Sequence, residues 1–220
     1  LTSFVVENSV AGFVGNTITG DITNLRKSIT TLNIAGSNTL YGDIANMPTG
    51  STSSTAGYFN IRGYNLISGN TANISTRFSN FILGGVNTLS GTTYGIPTNV
   101  TVMLIGGNNT ISGDLDGLSH AQYIDIGGLN TISKYTGGTW ASGMNRLKIT
   151  GNTSGFTVLD TDLILNNLTA TTWNNSTLIG RFGQSLITIK GTGSTASLAA
   201  RQKLTGSTGS GGFGVKLELI

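Results

Sequence analysis

Cysteine is absent from this chain of 220 residues. No disulfide can staple it and no thiolate can hold a metal, so secretion is permitted without being required. Charge is scarce too, with Asp, Glu, Lys and Arg making up 10% of the residues and a net charge of +3. That is too weak to read as a nucleic-acid footprint. No apolar run reaches the length of about 18 residues that a membrane-spanning helix needs. Ordinary disorder is also disfavoured, because it requires high net charge and few apolar residues, and here 37% are hydrophobic. Leu1 opens the chain without Met or a signal peptide, which reads as a processed or excised segment.

The charge that exists is uneven. Residues 1–133 hold four basic and six acidic side chains, and residues 134–220 hold eight basic and three acidic. A basic last third favours an anionic partner only mildly, and a solvated face accounts for it as well.

What is present is repetition. Glycine supplies 33 residues, and Asn, Thr and Ser fill most other polar positions. The pattern Asn-Thr-(Ile/Leu)-x-Gly occurs at Asn16–Gly20, Asn38–Gly42, Asn87–Gly91 and Asn109–Gly113, with near copies at Asn65–Gly69 and Asn130–Lys134. Successive asparagines step by 22, 27, 22, 22 and 21 residues, the long step containing a Ser/Thr-rich loop over Thr49–Gly57. An alternating apolar pair stands ahead of the motif: Leu32/Ile34, Phe59/Ile61, Phe81/Leu83, Met103/Ile105 and Ile124/Ile126. It continues as Leu147/Ile149, Leu163/Leu165 and Ile187/Ile189. Period-two alternation marks a short strand with one buried face. One strand and one Gly/Asn turn per unit of this length describes a solenoid, in which each coil buries its apolar side only by stacking on its neighbours.

The stretches Ile18-Thr-Gly-Asp-Ile22-Thr-Asn-Leu25, Leu40-Tyr-Gly-Asp-Ile44-Ala-Asn-Met47 and Ile111-Ser-Gly-Asp-Leu115-Asp-Gly-Leu118 share one scheme. It resembles the Leu-x-Gly-x-Ile-Pro-x-x-Leu segment of plant-type leucine-rich repeats, over roughly residues 10–150. One departure matters: the asparagine falls four residues after the second strand residue (Ile34 to Asn38, Ile105 to Asn109) where the family has three. Only Ile149 to Asn152 keeps the family spacing. The resemblance implies a mainly β, single-domain solenoid with one short parallel strand per coil, the alternative being a parallel β-helix. Residues 1–28 read as the N-terminal cap and first coil, 29–190 as stacked coils and 191–220 as the C-terminal cap. That last cap comprises a helix over 194–204 with Ser194 as its N-cap and an alternating final strand, Val215–Ile220.

The turn residues have structural reasons to recur. A ladder of Asn16, Asn38, Asn65, Asn87, Asn109 and Asn130 can satisfy backbone groups of its own and adjacent coils. The trailing glycine permits positive φ. Asp114, Asp116 and Asp125 lie near His120, the single histidine, but Gly-Asp-(Ile/Leu) recurs at Asp21 and Asp43, so Asp114 holds a repeat position. Asp160 and Asp162 form an Asp-x-Asp without the glycine and distal glutamate of a calcium loop. Gly106-Gly107 lacks the Lys-Ser/Thr ending of a phosphate loop. Seven Asn-x-Ser/Thr sequons (Asn73, Asn99, Asn108, Asn152, Asn167, Asn174, Asn175) are expected by chance in such a composition, and a glycan on Asn108 would obstruct stacking. No catalytic, cofactor or metal site is assigned.

The informative surface is the outward side of the strands. Tyr58, Ile82, Val102, Leu104, Tyr123 and Asp125 fall there, an apolar patch that a free monomer rarely displays without use. The expected function is non-enzymatic recognition or adhesion, without cofactor, nucleic acid or membrane insertion. The composition resembles solenoid adhesins of bacterial surfaces and of phage tail fibres, and that resemblance implies an extracellular or virion-surface location. Its partner would be a protein or glycan on a cell surface, with the chain in a homo-oligomer or larger assembly. A bacterial adhesin and a purely structural subunit are the alternatives.

Overall fold

The computed structural model describes residues 3–6, 18–49, 57–173, 186–206, 213 and 215–220. Among these the fold is mainly β, with one large parallel sheet and two short α-helices. The strands are β1 (Ser3–Val6), β2 (Thr19–Asp21), β3 (Thr31–Asp43), β4 (Gly57–Asn70), β5 (Phe78–Thr92), β6 (Val102–Asp114), β7 (Tyr123–Gly128), β8 (Thr131–Lys134), β9 (Arg146–Ile149), β10 (Leu186–Ile189) and β11 (Lys216–Leu219). Hydrogen-bonded order runs β1-β3-β4-β5-β6-β7-β9-β10-β11, with β2 beside β3 and β8 beside β6. Neighbours are thus nearly always successive in sequence, and all pairings are parallel.

β3 to β6 contain 13, 14, 15 and 13 residues, longer than the single short strand expected per unit. Each is two segments around a corner. The register shifts between Ile34 and Asn38, Ile61 and Asn65, Leu83 and Asn87, and Ile105 and Asn109. The alternating apolar pair occupies the first segment, and the Thr-(Ile/Leu)-x-Gly motif forms the second. β2 and β8 belong to this second row of segments.

A 3-10 turn follows every second segment but β8, at Ile22–Asn24, Ile44–Asn46, Thr71–Asn73, Thr93–Gly95 and Leu115–Leu118. Local chemistry starts these turns. The side chains of Asp21, Asp43 and Asn70 accept hydrogen bonds from the backbone N–H two residues on, at 2.8, 2.8 and 2.9 Å. Thr92 accepts from Gly95 N–H at 3.2 Å. Asp, Asn and Thr thus do one job, which satisfies an orphan donor at a helical start.

The core lies between the two strand rows and the 3-10 turns. Leu32, Phe59, Phe81, Met103, Ile124 and Leu147 are aligned by strand pairing and are buried. Leu40, Ile67, Leu89, Ile111 and Ile132 line the second row, and Ile22, Ile44 and Leu115 enter from the turns. Phe59 stacks on Phe81 with ring centroids 5.1 Å apart, and Phe78 packs against Phe59 at 5.4 Å. Burying each such side chain is worth roughly 1.5–3 kcal/mol.

One expected strand is a helix. Leu163 and Leu165 lie in α1 (Val158–Leu168), where Thr161, Ile164, Leu165 and Leu168 are buried. That spacing has a helical period, so the apolar alternation was accidental. Thr157 and Asp160 form a reciprocal capping box that fixes the start. Near the end, Ser194 caps the 3-10 turn Thr195–Ser197, which runs into α2 (Leu198–Thr205), and β11 follows.

Candidate functional site

The asparagines placed in the turn are buried, and their amides run from unit to unit. Asn87 Oδ1 accepts from Ile67 N–H at 3.0 Å while its Nδ2 donates to the Gly106 carbonyl at 3.1 Å. Asn38 links Ile18 to Arg62, and Asn65 links Leu40 to Gly84, in the same way. Asn109 accepts from Leu89 N–H at 2.9 Å and donates to the carbonyls of Gly127 at 3.0 Å and Gly106 at 3.3 Å. Each amide therefore takes a donor from the unit before and an acceptor from the unit after. Asn16 lies outside the described residues.

The pattern changes at Asn130. Its Oδ1 still accepts from Ile111 N–H at 2.9 Å, but its Nδ2 has no partner among the described residues. The following corner is one residue shorter (Ile149 to Asn152). Asn152, outside the expected ladder, bonds only to the unit before it: its Oδ1 accepts from Ile132 N–H at 2.9 Å and its Nδ2 donates to the Ile132 carbonyl.

A second feature was missed in the sequence. The glycine two residues before each of Asn38, Asn65, Asn87, Asn109 and Asn130 has positive φ, as at Gly85 (124°) and Gly107 (119°). A Cβ on Gly107 would sit 2.4 Å from the backbone nitrogen of Asn87. The Gly-Gly doublets at 84–85, 106–107 and 127–128 were the available signal.

The acidic residues have structural partners. Asp116 accepts from the N–H groups of Thr136 and Gly138 at 2.8 and 2.9 Å, tying down the next loop. Asp125 is flanked on the neighbouring strand by Arg146 at 3.0 Å and Lys148 at 3.8 Å. Burial raises its pKa, and the two cations oppose that rise. Burial lowers the pKa of His120, against the carbonyls of Pro97 and Gly117. Asp114 stands at the start of the turn Leu115–Leu118 without a side-chain cap bond. Asp160 caps α1 and accepts from Tyr135 N–H at 3.2 Å. Asp162 accepts from Ser194 N–H at 2.8 Å and from its hydroxyl. The carboxylates of this Asp-x-Asp therefore serve different partners. Among the described residues, no three His, Asp or Glu side chains gather as metal ligands.

The expected exposed face requires correction. Ile82 and Tyr123 are 0% and 2% exposed, and Val102 is buried as well. Tyr58 and Leu104 are partly buried and pack on this trio, and the Arg146 guanidinium lies 5.5 Å over the Tyr123 ring. Wide side chains on adjacent strands cover one another, which strand alternation alone does not reveal. Burial, with Asp125 adding to it, pushes the Tyr123 pKa up to about 12, although Arg146 acts against the shift. Asn108 is exposed, so a stacking role belongs to Asn109 and not to it.

The exposed apolar side chains lie elsewhere. Tyr41 and Leu66 are on the outward side of the second row, at 45% and 52% exposure. Tyr64, Val86 and Leu129, each between a corner glycine and a ladder asparagine, are exposed too. No helix among the described residues is long and apolar enough to cross a membrane. Comparison with protein-family models, curated proteins and solved structures finds no match.

Proposed function

We propose that the chain is a leucine-rich-repeat-like solenoid with a non-enzymatic role in recognition or adhesion, as part of a phage tail fibre or virion surface that contacts bacteria. The observation that carries this reading is the use of its polar residues. Asparagines bond adjacent units, and the carboxylates of Asp116, Asp125 and Asp162 hold loops, cations and a turn start. What remains for function is an extended outward surface on a rigid frame, as in other stacked-repeat architectures. The paired second row of segments also favours the parallel β-helix as the alternative architecture.

Fluorescently labelled protein applied to a panel of bacterial cells tests the function. Saturable binding to the surface of some strains, and competition with phage adsorption on them, is the expected result. Depolymerisation of a cell-surface polymer by the protein, or assembly into filaments without cell binding, would overturn it. Cell binding without phage competition would favour a bacterial adhesin.

A further inference from the structure

The outward side of the second strand row differs chemically from the rest of the surface. From just before the ladder asparagine to three residues after it, the five units read SNTLY (37–41), YNLIS (64–68), VNTLS (86–90), NNTIS (108–112) and LNTIS (129–133). None of these positions is charged. The first row, in contrast, carries Arg62, Asp125, Arg146 and Lys148 outward. On the second row, acidic residues enter only at the cap position that starts the 3-10 turns, and Lys134 only where the motif breaks.

The hydroxyls on this face are sorted by hydrogen bonding. Ser90 Oγ donates to the Gly69 carbonyl at 3.4 Å and Ser112 Oγ to the Gly91 carbonyl at 3.1 Å. Ser68 reaches the Gly42 carbonyl at 3.5 Å. These contacts turn the serine protons towards the preceding unit, most closely at Ser112, and leave oxygen lone pairs to accept. Thr88, Thr110 and Thr131 are exposed, and their hydroxyls meet no partner among the described residues, so they are able to donate. Paired strands repeat about every 4.8 Å, which makes a fixed grid of alternating donors and acceptors. The exposed rings of Tyr64 and Tyr41 stand at one end of it.

We propose that this face binds an uncharged polysaccharide laid along the second strand row. A charged ligand would meet no opposite charge on these segments. A sugar hydroxyl both donates and accepts, so it matches the Thr/Ser grid. The apolar face of a pyranose ring suits an exposed tyrosine. Leu66, Val86 and Leu129 are exposed on the same segments, so a second copy of the chain is the rival occupant, which sedimentation separates below. The proposal rests on reading the chain as a recognition protein and adds the ligand class and the surface.

Affinity electrophoresis through gels containing dextran, mannan, galactan or xylan, with alginate and heparin as anionic controls, tests it. The wild-type protein should be retarded by at least one neutral polymer and by neither anionic one. Thr110→Glu and Tyr64→Ala should weaken that retardation about tenfold or more. Thr110→Val, which keeps strand propensity and removes only the hydroxyl, should weaken it in the same direction with an unchanged melting temperature. Arg62→Gln, on the other row, should leave it unchanged. Retardation by no neutral polymer, equal retardation of wild type and the Thr110 variants, or equal loss in Arg62→Gln would overturn the proposal. So would sedimentation showing that Thr110→Glu dissolves an oligomer, since the face would then join copies of the chain. Cell binding by wild type without polysaccharide retardation sinks this inference and spares the recognition role. Retardation without cell binding does the reverse.

Discussion

A buried carboxamide is costly unless both of its ends are satisfied, and Asn109 satisfies them with groups from two different units. Replacing it with leucine leaves the Leu89 N–H and the Gly127 carbonyl unpaired. That should cost about 2–4 kcal/mol, read as a lower urea midpoint. The adjacent glycines divide sharply. Gly107 has φ of 119° and no room for a Cβ, whereas the nearest atom to a Cβ on Gly106 is 3.7 Å away. Gly107→Ala should therefore destabilise by more than about 2 kcal/mol. Gly106→Ala should stay within about 0.5 kcal/mol of wild type, measured in the same titration. The ladder was legible in sequence because one residue type recurs at a fixed step. The corner glycines were less so, because doublets such as Gly84-Gly85 do not reveal which member carries positive φ. Asn152 is not legible as a ladder residue because its unit has shed the rest of the motif.

At the scale of the element, α1 shows where pattern reading fails. Leu163 and Leu165 alternate, but Thr157 and Asp160 spell a capping box immediately ahead of a helically spaced apolar set. The capping signal was the stronger of the two, since it names a start as well as a period. α1 is then fastened to the C-terminal turn by Asp162. Hydrogen bonds from Ser194 and Ser197 hold that carboxyl below its ordinary pKa of 3.8. A carboxyl with a depressed folded pKa contributes stability that is fully present above the unfolded value. That contribution disappears as pH falls through the folded value. Asp162→Asn should accordingly lower the melting temperature at pH 7, with the gap to wild type closing below about pH 3.8 as the carboxyl protonates. Melting curves across pH 2–7 would show it. A gap independent of pH would mean that the charge is not what fastens the helix.

Across the whole molecule, strand periodicity identified the buried positions well and the exposed ones poorly. Inward residues such as Phe81 and Ile105 are buried because the core lies behind them. Ile82 and Tyr123 are buried for a different reason: wide neighbours and a guanidinium close over them from adjacent strands. Lateral cover of that kind depends on which strands pair and in what register. The register shift at each corner also sets the second row, where the uncharged Thr/Ser face arises. The frame beneath that face rests on the turn asparagines: Asn38, Asn65, Asn87 and Asn109 each fasten the unit before to the unit after. Amide hydrogen exchange at Leu89 in Asn109→Ala is the most direct measurement. Protection at Leu89 should fall while Ile111, held by Asn130, keeps its own. Unchanged protection at Leu89, or equal loss at both amides, would contradict it.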